Sequence, residues 1–111
     1  MTTPQPAQLL RIYVGEQDKH GPEPLYEALT YAALRLGLAG ATVSKGLLGF
    51  GGRHEIRSAK LIELAENLPL VLDFVDVPAN IARFLPEVDR LLSEAGSGGL
   101  VTLHEVQATH Y

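Results

Sequence analysis

The residues best suited to chemistry lie between Gly40 and Gly52, in the run Gly-Ala-Thr-Val-Ser-Lys-Gly-Leu-Leu-Gly-Phe-Gly-Gly. Thr42, Val43, Leu47 and Leu48 give it a strand-like character, with Gly46 inside and Gly49-Phe50-Gly51-Gly52 closing it. An isolated glycine in a strand marks a bulge or a close backbone approach. Four glycines within residues 46–52 permit positive φ and expose backbone N–H groups. Such amides can cradle an anion or a phosphate. Arg53, His54, Arg57 and Lys60 follow directly and add positive charge. The plainer reading is a tight turn leaving a strand, with the basic residues as solvated loop charges.

Other reactive side chains do not combine into a site. Four histidines (His20, His54, His104 and His110) form no His-x-x-x-His or His–Glu pair at ligand spacing, so no metal site is expected. Tyr13, Tyr26 and Tyr31 read as core or interface aromatics. Asp76 reads as a helix N-cap, and Asp73 is placed where it could face a cleft between subunits. No nucleophile stands beside a base, and Glu16 and Asp18 make no acid–base dyad. The expectation is a protein without catalytic residues, not an enzyme.

Composition narrows the field further. The chain has 111 residues, no cysteine and a net charge of −4. This is the size of one domain that can bury a core without disulfides. The acidic balance, the absence of tryptophan and the lack of a basic stripe argue against nucleic acid as a partner. No apolar run approaches the roughly 20 residues that span a bilayer. Residues 1–8 are polar and proline-bearing and lack the pattern of a signal peptide. They read as a flexible leader, residues 9–111 as the domain, and the cytoplasm as its location.

Periodicity supplies the elements that must position the glycine run. Leu10, Ile12 and Val14 alternate with Arg11 and Tyr13, a strand ending at Gly15. After a polar loop, Pro24 opens a helix with Leu25, Ala28, Leu29, Ala32 and Leu36 on one stripe and Gly37 at its end. A strand from Ala41 to Phe50 follows. Ala59–Leu64 and Leu70–Val75 read as one interrupted strand or a hairpin, the former also as a short helical segment. Asp76 and Pro78 start a second helix whose apolar face holds Ile81, Phe84, Leu85, Val88, Leu91 and Leu92, with a kink expected at Pro86. The last strand, Leu100 to Thr109, shifts the parity of its apolar residues, which predicts a bulge near His104 or Glu105. The order β-α-β-β-α-β gives an α+β, ferredoxin-like fold, an antiparallel sheet with two helices on one face. Leu70–Val75 is apolar on both sides, so the bare face is expected to be covered by another subunit.

Several short motifs together resemble one family. They are Leu-Arg-Ile-Tyr-Val-Gly-Glu at 10–16, Pro-Leu-Tyr-Glu-Ala-Leu at 24–29, Gly-Leu-Ala-Gly-Ala-Thr-Val at 37–43, Gly-Phe-Gly at 49–51 and Asn-Leu-Pro at 67–69. In this order they resemble the PII-like family numbered 190 among domains of unknown function, from about Leu10 to Tyr111. The wider resemblance is to PII signalling proteins, trimers of ferredoxin-like subunits that bind adenine nucleotides between subunits and grip partners with a loop after the second strand.

That resemblance implies a set of ligand-binding positions. Gly40 and Thr42 resemble the Gly-x-Thr-Val of the PII second strand. Gly49, Phe50 and Gly51, with Gly52, resemble the Gly-Phe-Gly that closes it against the nucleotide. Arg53 falls near a basic residue of the PII pattern, Arg57 adds a second cation, and Gly98 and Gly99 resemble a phosphate-contacting turn. The chain also departs from PII. Thr42 to Gly49 is one residue longer, which a bulge at Gly46 would absorb. Leu100 stands where PII has a phosphate-binding lysine, the last strand has no arginine, and the loop from Gly51 to Ala59 is short.

ADP or AMP therefore fits better than ATP with 2-oxoglutarate. The expectation is a homotrimeric regulatory protein with a small anionic effector and no fixed cofactor. It would signal through residues 51–57 to a partner protein, membrane-embedded ones included. A trimer resembling CutA, with metal bound by histidines and carboxylates of neighbouring subunits, and an enzyme acting on a nucleotide in the same cleft are the alternatives.

Overall fold

In a computed structural model, the structure describes residues 3–49, 57, 58 and 67–111. Its main sheet has four strands: β1 (Gln5–Gly15), β4 (Ala41–Lys45), β7 (Pro69–Asp76) and β8 (Leu100–Ala108). They lie in the order β4-β7-β1-β8, with every neighbouring pair antiparallel. Two short ladders stand apart from it, β2 (Lys19–His20) with β3 (Glu23–Pro24) and β5 (Leu48–Gly49) with β6 (Arg57–Ser58). The helices are α1 (Leu25–Arg35) and α2 (Pro78–Ala95). This is the expected α+β, ferredoxin-like arrangement of βαββαβ with small additions.

One sheet face makes the core. Leu10, Ile12 and Val14 from β1 and Leu70, Leu72 and Phe74 from β7 are buried against both helices. They meet Leu25, Ala28, Leu29 and Ala32 of α1 and Ile81, Phe84, Val88 and Leu91 of α2. Phe74 and Phe84 pack edge to face with centroids 4.9 Å apart, a geometry that suits the ring quadrupoles. Alternation sends Leu9, Arg11, Tyr13, Val71, Asp73 and Val75 to the other face, where Tyr13 and Val75 are exposed.

Several local expectations are corrected. The first strand begins at Gln5, inside the expected leader of residues 1–8, because residues 5–8 pair with β8 and Ala7 is buried. The strand from Ala41 does not run to Phe50. It leaves the sheet after Lys45, and Leu48–Gly49 joins the separate ladder. Gly46 forms no bulge within β4, whose pairing with β7 is regular; it makes a close approach to Pro69 instead.

No bulge interrupts β8 either, since its register against β1 is continuous from Gln5↔Ala108 to Tyr13↔Leu100. Its parity changes because the far end of the helix-side face is polar. Gln8, Asp76 and Glu105 lie there in register, while Val106 pairs with Ala7 on the opposite face. The α2 N-cap is Val77, with Pro78 opening the helix, and Asp76 stands one residue earlier. The helix is continuous through Pro86, which is exposed. The strand, hairpin or helix readings of Ala59–Leu64 lie outside the described residues.

Candidate functional site

Four chain segments reach one end of the sheet. The registers place the end of β4 (Lys45) beside the start of β7, the end of β1 (Gly15) beside Pro69, and the start of β8 (Leu100) beside Tyr13. Gly46 N–H donates to the Pro69 carbonyl at 2.7 Å, and a Cβ on Gly46 would lie 2.9 Å from Pro69 Cγ. Here the absence of a side chain lets two backbones touch. Glu16 N–H donates to the Leu68 carbonyl at 2.8 Å, and Gln17 N–H to Asn67 Oδ1 at 3.0 Å. Lys45 Nζ is 2.5 Å from Glu16 Oε2, an ion pair across the end of β7.

The candidate ligand residues divide among different places. Gly49 pairs directly with Arg57 across the β5–β6 ladder, so these two are brought together. Phe50, Gly51, Gly52 and Arg53 lie outside the described residues, as do His54 and Lys60. Thr42 sits on the open face opposite Asp73, and Gly40 precedes β4 at the far end of the sheet. Gly40 lines a shallow pocket of about 240 Å³ with Thr30, Tyr31, Ala33, Leu34, Leu38 and Ala41, which carry no charge. Gly40 and Thr42 thus belong to the main sheet's edge strand and the connection before it, whereas Gly49 lies on the separate β5–β6 ladder.

Gly98 and Gly99 stand at the same sheet end as Gly46 but at the opposite edge. Three inter-strand steps separate β4 from β8, about 14 Å at the usual strand spacing. Gly98 has φ +82°, which only glycine adopts without strain. Gly99 has a packing reason as well, since a Cβ there would meet Leu92 Cδ2 at 3.0 Å and the Tyr13 carbonyl at 3.2 Å. The turn follows the C-terminus of α2, capped by left-handed Gly96, and a helix C-terminus carries the dipole's negative end. A ligand touching both edges must therefore cross the sheet end or be completed by another chain.

The open face has a polar centre. Arg11 donates twice to Asp73, Nε to Oδ1 at 2.7 Å and Nη2 to Oδ2 at 3.0 Å. This fork holds the Asp73 carboxyl below its usual range, against the opposing effect of burial, and keeps the guanidinium charged. Asp76 is buried, which by itself would raise its pKa. Hydrogen bonds from Val77 N–H, Ala39 N–H and Asn80 Nδ2 outweigh burial and lower it. Asp76 thereby ties the α1–β4 connection to the start of α2.

Of the described histidines, His20 and His104 have separate polar partners. His20 Nε2 lies 2.6 Å from Glu94 Oε1, and His104 Nε2 lies 3.0 Å from Thr102 Oγ1. Among the described residues no three His, Asp or Glu side chains gather at metal-binding distance. No helix among them is long and apolar enough to cross a membrane. Sequence reasoning missed both the Arg11–Asp73 fork and the Lys45–Glu16 pair. The signal for the first was opposite charges on the non-core parity of two strands; the second crosses from one strand's end to another's and left no local pattern.

The family described as DUF190, Uncharacterized ACR, matches residues 7–108. The chain belongs to this family. It is 36% identical over 103 residues to a UPF0166 protein of Aquifex aeolicus, covering 93% of each chain. It is 36% identical over 90 residues to UPF0166 protein MJ1524 of Methanocaldococcus jannaschii, covering 81% of this chain and 82% of that one. Among solved structures it resembles CPII of Thiomonas intermedia K12, a nitrogen regulatory PII-like protein bound to ADP, AMP and bicarbonate. That likeness has a TM-score of 0.74 at 18% identity, over 99% of this chain and 94% of CPII. TTHA0516 of Thermus thermophilus, named as PII-like, aligns with a TM-score of 0.66 at 17% identity, over 96% and 92% of the two chains. The fold of this DUF190 protein is therefore PII-like.

Proposed function

We propose that this DUF190 protein is a PII-like regulatory protein of the cytoplasm that binds a small anionic effector, an adenine nucleotide, between subunits of a homotrimer. The observation that carries the reading is the likeness over 99% of the chain to a structure with ADP, AMP and bicarbonate bound. The placement of the glycines adds to it. Gly46 and Gly98–Gly99 stand at opposite edges of the same sheet end, which supports a cleft that a neighbouring subunit completes. ADP or AMP is favoured over ATP because Leu100 stands where PII has a lysine. Residues 51–57 follow the site in sequence and are the segment a partner protein would read.

The experiment is calorimetric titration of the full chain with ADP, AMP, ATP and bicarbonate, with light scattering to give the assembly. Micromolar binding of ADP or AMP to a trimer is the expected result. A stable monomer, or a trimer that binds no adenine nucleotide, would sink the reading. A ligand of the native state also raises its apparent melting temperature, which gives a second readout.

A further inference from the structure

We propose that Lys45 is the cation of an anion site at the β4 end of the sheet, and that Glu16 is its built-in competitor, displaced when a phosphate-bearing ligand binds. The inference rests on the nucleotide reading above and goes beyond it by naming the charge that serves the site and what holds it beforehand. Lys45 closes β4, one residue before Gly46 and four before Gly49. Half of its side chain is exposed, whereas Glu16 is the more enclosed partner, at 52% and 24% of full exposure.

The other basic side chains described are engaged or placed elsewhere. Arg11 is bound to Asp73 on the open face, and Arg90 is held by Glu87 and Glu94 on α2. Arg35 ends α1, Arg83 lies on the exposed side of α2, and Lys19 belongs to the β2–β3 hairpin. Among the described basic residues, Lys45 stands on the strand that leads into the glycine run, and Arg57 lies opposite Gly49 on the β5–β6 ladder. An ammonium binds phosphate as a point charge without demanding the planar fork of arginine.

Exchange of partners is chemically easy. An exposed ion pair contributes little, because water screens it and two long side chains must be held still. Replacing one carboxylate by a phosphate with more charge leaves Lys45 paired throughout. The Glu16 backbone does not need to move, since its N–H is bonded to the Leu68 carbonyl; only its side chain swings to solvent. Glu16 also repels an anion at this end of an acidic chain until it does so.

Titration calorimetry on the full chain tests this with two probes, ADP and inorganic pyrophosphate. Lys45→Gln is expected to weaken both by about tenfold or more, the size of one charge-assisted contact. Lys45→Arg should restore most of the affinity, which a variant lost through misfolding would not do. Glu16→Gln should tighten both probes severalfold, and that gain should vanish when Lys45→Gln is also present. Wild-type binding of ADP with no change in the Lys45→Gln and Glu16→Gln variants overturns the inference and leaves the nucleotide reading standing. Binding of pyrophosphate with the expected variant pattern, but not of ADP, supports Lys45 as the cation and overturns the adenine reading. A wild type that binds neither probe overturns both.

Discussion

Gly46 and Pro69 touch through their backbones: the Gly46 N–H donates to the Pro69 carbonyl at 2.7 Å, and a Cβ on Gly46 would lie 2.9 Å from Pro69 Cγ. Pro69 is half-buried at the start of β7, and its ring cannot turn aside as a flexible side chain would. Gly46→Ala must therefore shift backbone at the point where β4 leaves the sheet. The expected cost is about 1–3 kcal/mol, the range for overpacking a tight site. Urea unfolding of the variant measures it, and a midpoint equal to wild type would mean that the contact yields freely.

Burial of the open face against another copy can be tested by charge. Val71 and Val75 flank Asp73 on that face, and Asp73 is already matched by Arg11 within the chain. The face can thus be buried against another copy without stranding a carboxylate. Val71→Asp adds one with no counter-charge, and an unpaired charge in an interface is strongly unfavourable. Light scattering should show the variant reduced to smaller species while circular dichroism keeps the wild-type spectrum. An unchanged assembly would place the interface elsewhere.

Most of this fold was legible because its core obeys simple periods. Leu10, Ile12 and Val14 alternate cleanly, and α2 carries Ile81, Phe84, Val88 and Leu91 on one stripe. The errors fall where contacts between distant residues decide the outcome. Ala41 to Phe50 reads as one strand in local composition, yet β7 offers partners only to Lys45. Leu100–Ala108 reads as bulged because its apolar parity changes, and the change reflects the polar far end of the sheet around Asp76. The site was less legible than the fold. Local sequence could show that glycines were needed, but not that Gly46 serves Pro69 or that Gly99 serves Leu92. Nor could it show that Gly40 and Gly99 lie at opposite ends of opposite edge strands.

Acid should weaken the fold through Asp73 and Asp76. Both carboxyls titrate lower in the folded chain than the ordinary value of 3.8. The unfolded chain therefore binds more protons in the interval between the two values, so stability falls as pH falls there. Their contribution is fully present above the unfolded value and is lost as pH drops through the folded one. Asp76→Asn should flatten the dependence of the melting temperature on pH between about 5 and 2 relative to wild type. Asp76→Ala at neutral pH should cost about 1–3 kcal/mol, since it strips the acceptor from the N–H groups of Ala39 and Val77. A parallel pH dependence in the Asn variant would assign acid lability to other carboxyls.

Gly99 offers the sharpest separation of packing from binding. An added Cβ would meet Leu92 Cδ2 at 3.0 Å, Val14 Cγ1 at 3.4 Å and the Tyr13 carbonyl at 3.2 Å. The residue has no positive φ, so Gly99→Ala tests crowding and not backbone conformation. It should destabilise the chain by about 1–3 kcal/mol. Leu92→Ala removes the nearest obstructing atom at its own cost in apolar burial. If crowding is the cause, Gly99→Ala should cost less in the Leu92→Ala background than in wild type, a coupling of about 0.5–3 kcal/mol in a double-mutant cycle. Strict additivity would transfer the blame to the Tyr13 carbonyl, which Leu92→Ala leaves in place. A Gly99→Ala variant as stable as wild type would remove the packing reason for this glycine altogether, leaving ligand contact as the reason to examine next.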